Sequence, residues 1–183
     1  TTPYAISRAA MDFHLIKYHK YKNLPIILTR TANIYGPGQQ LYRVIPKSLF
    51  LCRKNKKFPL EGTGNTKRSF IYVDDASSAT LKICLRGKLG ETYHISTNEI
   101  KTIKDVIKLV CKVTGRNFKQ IINLKKERLG KDYLYFLNSN KLIKKLNWKP
   151  KVDLETGIRK TLDWIDENLE LFKKNELNYK HKK

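Results

Sequence analysis

Tyr4 and Arg8 place a phenol and a fixed positive charge four residues apart near the start of the chain. They open an amphipathic stretch that runs to about residue 21. This predicts a helix on which the two side chains share one face, about a turn apart. A phenol with an unperturbed pKa of about 10 is a weak base at neutral pH, and a nearby cation favours its ionised form. The pair is therefore a candidate general base, although a Tyr and an Arg on an ordinary helix explain the same spacing without chemistry.

A second polar pair, Arg30 and Asn33, lies between the apolar segment 25–28 and the Gly-Pro-Gly turn signal at residues 36–38. This pattern predicts a strand over residues 26–31 that hands over to a loop at these two side chains. In open α/β sheets, ligands bind in the crevice outside the carboxyl ends of the strands. A guanidinium and an amide at such a place can meet hydroxyls and phosphates, although a strand that ends in a turn is common in proteins without any site there.

Taken together, the two stretches resemble the extended short-chain dehydrogenase/reductase family, in particular its nucleotide-sugar dehydratases and epimerases. The family pattern is Tyr-x-x-x-Lys on a helix, followed downstream by Arg-x-x-Asn-x-Tyr-Gly-Pro, and both occur here in that order, starting at Tyr4 and Arg30. The resemblance continues through residues 43–46, 68–75, 90–95 and 146–150, so it covers nearly the whole chain.

The resemblance implies an α/β fold that forms the carboxyl-terminal part of a Rossmann-like doubly wound sheet, plus a small α/β substrate-binding subdomain. Residues 1–40 would end the dinucleotide-binding domain. Residues 41–172 would form mainly the substrate subdomain, with elements returning to the Rossmann sheet, and the basic tail 173–183 is expected to be disordered. No glycine-rich turn of the Gly-x-x-Gly-x-x-Gly type occurs in the sequence. We therefore expect the carboxyl-terminal part of a longer enzyme, which alone would not hold a dinucleotide tightly.

The same resemblance implies the site residues. Tyr4 and Arg8 would be catalytic and would also contact an NAD cofactor, together with Thr31 and Ala32. The nucleotide-diphosphate sugar substrate would be bound by Asn33, Ile45, Pro46, Leu60, Gly62, Arg68 and Arg128. Arg68 and Arg128 would grip the diphosphate, because a guanidinium fits a phosphate in a bidentate manner. No metal ligand set is predicted.

The chain departs from the family pattern in two places. Arg8 stands where the family has Lys; it keeps the charge but is a bulkier planar fork, and the two residues are not equivalent at a site of fixed geometry. The segment 128–132, Arg-Leu-Gly-Lys-Asp, resembles the Arg-Pro-Gly-His-Asp segment typical of dTDP-glucose 4,6-dehydratases. Leu129 and Lys131 replace the Pro and the His of that segment, which leaves the identity of the sugar nucleotide open.

By this resemblance the activity would be an NAD-dependent nucleotide-sugar 4,6-dehydration, in which the tyrosine takes the proton of the sugar 4-hydroxyl. A 4-epimerase or a UDP-glucuronate decarboxylase would use the same tyrosine chemistry, since the later acid and base groups lie outside this chain. A third alternative is a non-catalytic basic binding domain derived from such an enzyme, for which Arg8 and the high charge are the support.

The composition is strongly basic, with 38 Lys and Arg against 16 Asp and Glu and a net charge of +22. Such a charge permits binding to nucleic acid, anionic membranes or phosphorylated ligands. Because the lysines are spread along the chain and no nucleic-acid-binding motif occurs, we expect no specific nucleic-acid partner. The sequence contains no run of 18 apolar residues, so we expect no membrane partner. Three unpaired cysteines suit a cytoplasmic enzyme, and the full-length enzyme is expected to be a homodimer.

Periodicity and end signals predict the remaining elements. They are helices at about 46–54, from Asp74 or Asp75 as N-cap to about 85, at 103–114 with Thr102 as N-cap, at 141–146 and at 154–168; strands at 67–73 and 91–95; and a short extended piece at 58–60.

Overall fold

The computed structural model describes residues 2–127, 130, 132–174 and 177. The helices are α1 (Pro3–Lys22), α2 (Val44–Arg53), α3 (Val73–Arg86), α4 (Ile103–Thr114), α5 (Phe118–Ile121), α6 (Asn140–Leu146) and α7 (Leu154–Glu167), followed by a 3-10 helix at Leu171–Lys174. The strands are β1 (Leu28–Thr31), β2 (Asn33–Tyr35), β3 (Phe58–Glu61), β4 (Lys67–Tyr72), β5 (Thr92–Ile95), β6 (Ile100–Thr102), β7 (Ile122–Lys125) and β8 (Leu134–Tyr135).

The first sheet consists of β1 and β5, which run parallel with Leu28 opposite Thr92. The Ala32 N–H extends this pairing by donating to the Ile95 carbonyl at 2.9 Å. A buried cluster that includes Ile83, Tyr93 and Leu142 packs α3 and α6 against this sheet. Among the strands that the structure describes, β1 pairs with β5 alone, so its other edge carries unpaired backbone groups.

The chain leaves the first sheet at Ala32 and enters a second one at Asn33. In the second sheet β2 lies parallel to β4, and β6 lies antiparallel to β4 on the other side. β8 pairs with β4, and β3 and β7 form a separate parallel pair. The larger hydrophobic core joins these strands to α2, α4 and α7 and is centred on residues such as Leu49, Ile107 and Ile158.

α1 begins at Pro3 because the Thr2 side chain caps it by accepting a hydrogen bond from the Ala5 N–H at 3.2 Å. None of its residues is buried. The helix is tied to β1 by the Asp12 carboxylate, which accepts two hydrogen bonds from Arg30. Its large apolar side chains that remain exposed are Tyr4, Ile6, Met11, Phe13, Ile16, Tyr18 and Tyr21. α1 is thus a helix with apolar surface left uncovered.

Most predicted elements are confirmed with boundaries shifted by a few residues. α2 starts two residues earlier than predicted, with Pro46 in its first turn, and the piece 58–60 is β3. Thr102 caps α4 by accepting from the Asp105 N–H at 3.0 Å, as predicted. The short elements β6, α5, β7 and β8 were not predicted.

Two predictions about particular residues are wrong. Asn33 does not begin a loop, because it starts β2 and pairs in register with Phe70. Neither Asp74 nor Asp75 is the N-cap of α3, which is Tyr72 without a side-chain hydrogen bond. The buried Asp75 carboxylate instead accepts hydrogen bonds from the backbone N–H groups of Lys151 and Val152 at 2.9–3.0 Å. It therefore fixes the segment that leads into α7.

The predicted basic tail lies largely outside the described residues. Lys173 and Lys174 belong to the 3-10 helix, and Leu177 packs against the larger core. Within the described part of the chain, no helix combines the length and the apolar character needed to cross a membrane.

Tyr35 packs directly against Gly157 of α7, which makes this glycine a test of the fold. A Cβ at Gly157 would lie 2.1 Å from the Tyr35 hydroxyl oxygen and 2.7 Å from its Cζ. We expect Gly157→Ala to lower the free energy of unfolding by about 1–3 kcal/mol, because overpacking outweighs the gain in helix propensity. Urea unfolding measures this change.

The nearest clash involves the hydroxyl group, so the effect should depend on Tyr35. In a Tyr35→Phe background, Gly157→Ala should cost less than in the wild type, as a double-mutant cycle would show. Equal costs in both backgrounds would contradict this packing.

Candidate active site

Asn33 and Arg68 lie on the two paired strands β2 and β4, near the point where the chain crosses from the first sheet to the second. The Asn33 side-chain nitrogen Nδ2 donates to the Ser69 carbonyl at 3.1 Å, so Asn33 is anchored next to Arg68. Asn33 is half-buried, as are Thr31 and Arg68, and Ala32 is buried. Thr31, Ala32 and Asn33 thus lie at the carboxyl end of β1, where open α/β sheets bind ligands, and Asn33 is bonded to the residue that follows Arg68 on β4.

The Arg68 guanidinium is held by two backbone carbonyls. Nη1 donates to Lys67 O at 2.7 Å, and Nη2 donates to Asp132 O at 2.8 Å. The second bond ties β4 to the segment that precedes β8. Because a guanidinium carries five N–H groups, three remain to bind an anion in a fixed orientation.

Arg128, the other predicted diphosphate ligand, lies outside the described residues. Its described neighbours approach one candidate residue, Gly62. The Gly62 N–H donates to Lys125 O at 2.9 Å, and a Cβ at Gly62 would collide with the Glu127 carboxylate. Gly62 has φ +57°, a backbone region that favours glycine. The turn after β3 and the segment after β7 therefore lie against each other.

The apolar candidates are buried. Ile45 is 1% exposed and Leu60 is 3% exposed. Pro46, in the first turn of α2, is buried as well. Their side chains therefore shape the wall of the subdomain and offer no polar group.

Tyr4 and Arg8 lie on α1, away from this cluster. Tyr4 is 73% exposed, and in the part of the chain that the structure describes no side chain donates to or accepts from its phenol. Among the residues that the structure describes, no hydrogen bond or ion pair joins Tyr4 or Arg8 to Asn33 or Arg68. The Asp12–Arg30 ion pair links α1 to β1, so the Arg30 guanidinium is engaged by Asp12.

Tyr35 is the other tyrosine of the motif, and its surroundings exclude it as a base. Burial, with the Asp153 carboxylate nearby, raises the pKa of Tyr35 far above its ordinary value. Its hydroxyl donates toward the Asp153 and Leu154 carbonyls, at 3.5 and 3.4 Å. Tyr35 therefore stays protonated and holds the start of α7, which leaves the exposed Tyr4 as the base candidate of the motif.

The cysteines do not offer a nucleophile at this site. Burial raises the pKa of Cys52 and takes that of Cys111 to about 11, so both remain thiols at neutral pH. Over residues 2–127, 130, 132–174 and 177, no three His, Cys, Asp or Glu side chains come close enough to hold a metal ion.

The surface grooves do not coincide with the polar candidates. A groove of about 480 Å³ is lined by Ile34 and by α3 residues such as Val73 and Thr80, and a smaller one of about 200 Å³ follows residues 34–39. Neither contains Tyr4, Asn33 or Arg68.

Sequence reasoning missed three hydroxyl residues beside Asn33, namely Ser69, Ser96 and Thr97. Ser69 and Ser96 are 0% exposed, and all three are hydrogen-bonded to one another. Ser69 belongs to the motif at residues 68–75, but nothing in its spacing points to a partner in another sheet. Lys47, which is half-buried in α2, was also missed; burial lowers its pKa, and the nearby Glu61 opposes that shift.

Comparison with known proteins places these features in context. The family described as GDP-mannose 4,6 dehydratase matches residues 1–161. The dTDP-D-glucose 4,6-dehydratase of Bos taurus is 35% identical over 181 residues, which cover 96% of this chain and 51% of that protein. A trifunctional UDP-glucose 4,6-dehydratase, epimerase and reductase of Arabidopsis thaliana is 34% identical over 170 residues, which cover 93% of this chain and 25% of that protein.

A solved structure shows the same fold. The crystal structure of dTDP-glucose 4,6-dehydratase from Bacillus anthracis in complex with NAD superposes with a TM-score of 0.88 at 33% identity, covering 93% of this chain and 54% of that one. The chain thus spans about half the length of the bovine and bacterial enzymes and a quarter of the plant one. The α/β, Rossmann-like architecture expected from the sequence is confirmed.

Proposed function

We propose, because this chain belongs to the GDP-mannose 4,6 dehydratase family, that it is the carboxyl-terminal, substrate-binding part of an NAD-dependent nucleotide-sugar 4,6-dehydratase. The observation that carries the proposal is the anchoring of Asn33 beside Arg68 at the carboxyl end of β1, with the Arg68 fork held by two carbonyls. A fixed guanidinium and a fixed amide suit a sugar linked to a diphosphate. The substrate class is therefore a nucleotide-diphosphate hexose of the dTDP-glucose or UDP-glucose kind.

The proposal includes a dinucleotide-binding half in the same enzyme. Residues 1–40 would complete that half, and residues 41–172 would form mainly the substrate subdomain. In support, β1 has an unpaired edge among the described strands, and α1 carries exposed apolar residues such as Phe13, which is 70% exposed. A strand added to this edge, with its helices, would bury that surface.

NAD would fit this chain at the end of β1. Tyr4 and Arg8 are exposed polar groups on the uncovered α1, and Thr31 and Ala32 lie where a parallel strand ends. When bound there, NAD would supply the oxidation of the hexose at C4 and the return of hydride at C6. In this reaction Tyr4 would accept the proton of the sugar 4-hydroxyl, which requires hydrogen-bond reach and a pKa near the operating pH. Arg8 would supply a positive charge one helical turn from Tyr4.

The proposed enzyme would act in the cytoplasm as a homodimer. Free thiols at Cys52, Cys84 and Cys111 suit a reducing compartment.

Incubation of the full-length enzyme with NAD and dTDP-glucose, and separately with UDP-glucose, tests the function. The expected product has lost one water and carries a 4-keto group, as mass spectrometry and NMR would show. A product of unchanged mass with inverted C4 would indicate a 4-epimerase, and release of carbon dioxide from UDP-glucuronate would indicate a decarboxylase. No conversion of any of these substrates would contradict the proposed enzyme and favour a non-catalytic binding domain.

Arg68 offers a test of diphosphate binding. We expect Arg68→Ala to raise the KM for the nucleotide sugar by about 10- to 100-fold with a smaller change in kcat, because a charge-assisted hydrogen bond contributes about 1.5–3 kcal/mol. Arg68→Lys should recover only part of this loss, because a point charge cannot replace the fork.

Lys101 is the matched control for Arg68. It faces Arg68 across the strand pair β4–β6 and forms an exposed ion pair with Glu99. Lys101→Ala should leave KM within about twofold of the wild type. A similar rise in KM for both variants would show that general positive charge, and not the Arg68 fork, attracts the substrate.

A further inference from the structure

Three hydroxyl side chains, two of them buried and one half-buried, form a chain at the junction of the two sheets. We name Ser69, Ser96 and Thr97 the hydroxyl triad. Ser96 Oγ lies 3.1 Å from Ser69 Oγ, and Ser69 Oγ lies 2.9 Å from Thr97 Oγ1. Thr97 Oγ1 lies 3.2 Å from the Phe70 carbonyl oxygen. Ser96 follows β5 of the first sheet and Ser69 belongs to β4 of the second, so the triad links the two sheets.

The end of this chain sets its direction. Carbonyl oxygens only accept, so Thr97 Oγ1 is the donor toward the Phe70 carbonyl at 3.2 Å and the Glu99 carbonyl at 3.4 Å, of which Phe70 is the nearer. Thr97 Oγ1 can then accept from Ser69, and Ser69 Oγ can accept from Ser96. The Thr97 carbonyl, 3.0 Å from both serine hydroxyls, is a further acceptor for each. Each hydroxyl donates once and the chain closes without an unsatisfied group, which a buried polar network requires.

The triad acts on the same stretch of β4 that holds Asn33. Ser69 supplies the carbonyl that accepts from Asn33 Nδ2, and the next carbonyl, that of Phe70, accepts from Thr97. Since Ser69 O can only accept, the Asn33 amide is oriented with its nitrogen toward β4. Its oxygen Oδ1 then has no hydrogen-bond partner among the described residues and is available to accept from a sugar hydroxyl.

We infer that Ser69 is a positioning residue for substrate binding: through the triad it fixes the β4 backbone, and thereby the orientation in which Asn33 presents Oδ1. This inference rests on the proposed function for the identity of the ligand. It assigns Ser69 no contact with the substrate.

Steady-state kinetics of the full-length enzyme tests the inference. We expect Ser69→Ala to raise the KM for the nucleotide sugar about 5- to 20-fold with kcat changed less than about threefold, because an interaction equal in ground and transition states affects KM alone. In an Asn33→Ala background, Ser69→Ala should change KM less than twofold, because the group that it positions is absent.

Ser139 provides the control for a purely structural role. It is 1% exposed and donates to the Ser96 carbonyl at 3.0 Å, at the same junction but away from β4. Ser139→Ala should lower Tm by about 3–6 °C, as should Ser69→Ala, but leave KM unchanged. An equal rise in KM for both variants, or an equal effect of Ser69→Ala in both Asn33 backgrounds, would overturn the inference.

A second readout does not depend on activity. In the 183-residue chain, the two Asn33 side-chain amide protons can be assigned by NMR with the Asn33→Ala variant. Ser69→Ala should speed their exchange with solvent at least fivefold, whereas Ser139→Ala should not. If the wild-type enzyme converts no nucleotide sugar, the proposed function fails while this result still decides the role of Ser69. Unchanged exchange in Ser69→Ala would overturn it.

Discussion

Replacement of Tyr4 by Phe should reduce turnover of the nucleotide sugar by about 10²–10⁴-fold, the range that a general base contributes. The loss should appear in kcat and in kcat/KM alike, because the missing proton acceptor matters only in the transition state. Stability should hardly change. The Tyr4 side chain is 73% exposed, and within the described chain its hydroxyl has no hydrogen-bond partner. Thermal unfolding should therefore give a Tm within about 1 °C of the wild type.

Tyr21 supplies a matched control on the same helix. It is 68% exposed and lies at the opposite end of α1. Tyr21→Phe should leave both turnover and Tm unchanged. A Tyr4→Phe enzyme with the wild-type rate would refute the assignment of Tyr4 as the base, whatever the control shows.

Arg8 refines this test, because it stands where the family has Lys. If Arg8 serves only as a positive charge near Tyr4, Arg8→Lys should leave turnover equal to or higher than that of the wild type. Arg8→Ala should reduce turnover, because the positive charge one helical turn from Tyr4 is lost. Turnover of Arg8→Ala equal to that of the wild type would exclude this role.

The sequence predicted best what depends on local pattern. Long amphipathic helices such as α4 carry their periodicity in their own residues, and a Thr before such a run is a reliable cap. The strands β6 and β8 are three and two residues long and have no such pattern. Both exist because β4 offers them hydrogen-bond partners. A contact with a distant strand leaves no trace in so short a segment.

The candidate site shows the same division between local and distant information. Asn33 and Arg68 were identified from motifs, and the structure places them side by side. Arg30 stood in the same motif, yet its partner is Asp12, on a helix that precedes it in the chain. The motif gives the residue type but not the group that it faces. Ser96 and Thr97 went unnoticed for the same reason, since their importance arises only from the nearness of Ser69.

Asp75 is the clearest case of a residue with a local helix-start pattern whose contacts lie far along the chain. An acidic residue at the start of a helix is the usual sign of an N-cap. Here the carboxylate is 3% exposed and accepts backbone N–H groups from Lys151 and Val152, 76 and 77 residues further along the chain. Residues 149–153 lie in neither a helix nor a strand. The Asp75 carboxylate therefore supplies the hydrogen-bond acceptors that secondary structure would otherwise give to this segment.

Loss of this carboxylate should produce a large change in stability. Asp75→Ala would leave two backbone N–H groups without acceptors in a partly buried place, at about 1–3 kcal/mol each. We expect the free energy of unfolding to fall by about 2–5 kcal/mol in total, and Tm by about 5–15 °C. Asp75→Asn should lose somewhat less, because one accepting oxygen remains while the amide nitrogen faces an N–H group.

Asp74 is the control, since it is exposed and lies in the same first turn of α3. Asp74→Ala should cost no more than about 1 kcal/mol, from the lost interaction with the helix dipole. Equal losses for the two alanine variants in urea unfolding would mean that both carboxylates act through the helix terminus. A loss confined to Asp75 would show that this one side chain holds α7 against the sheet junction. It would thereby keep α7 in contact with Tyr35, which lies two residues from Asn33.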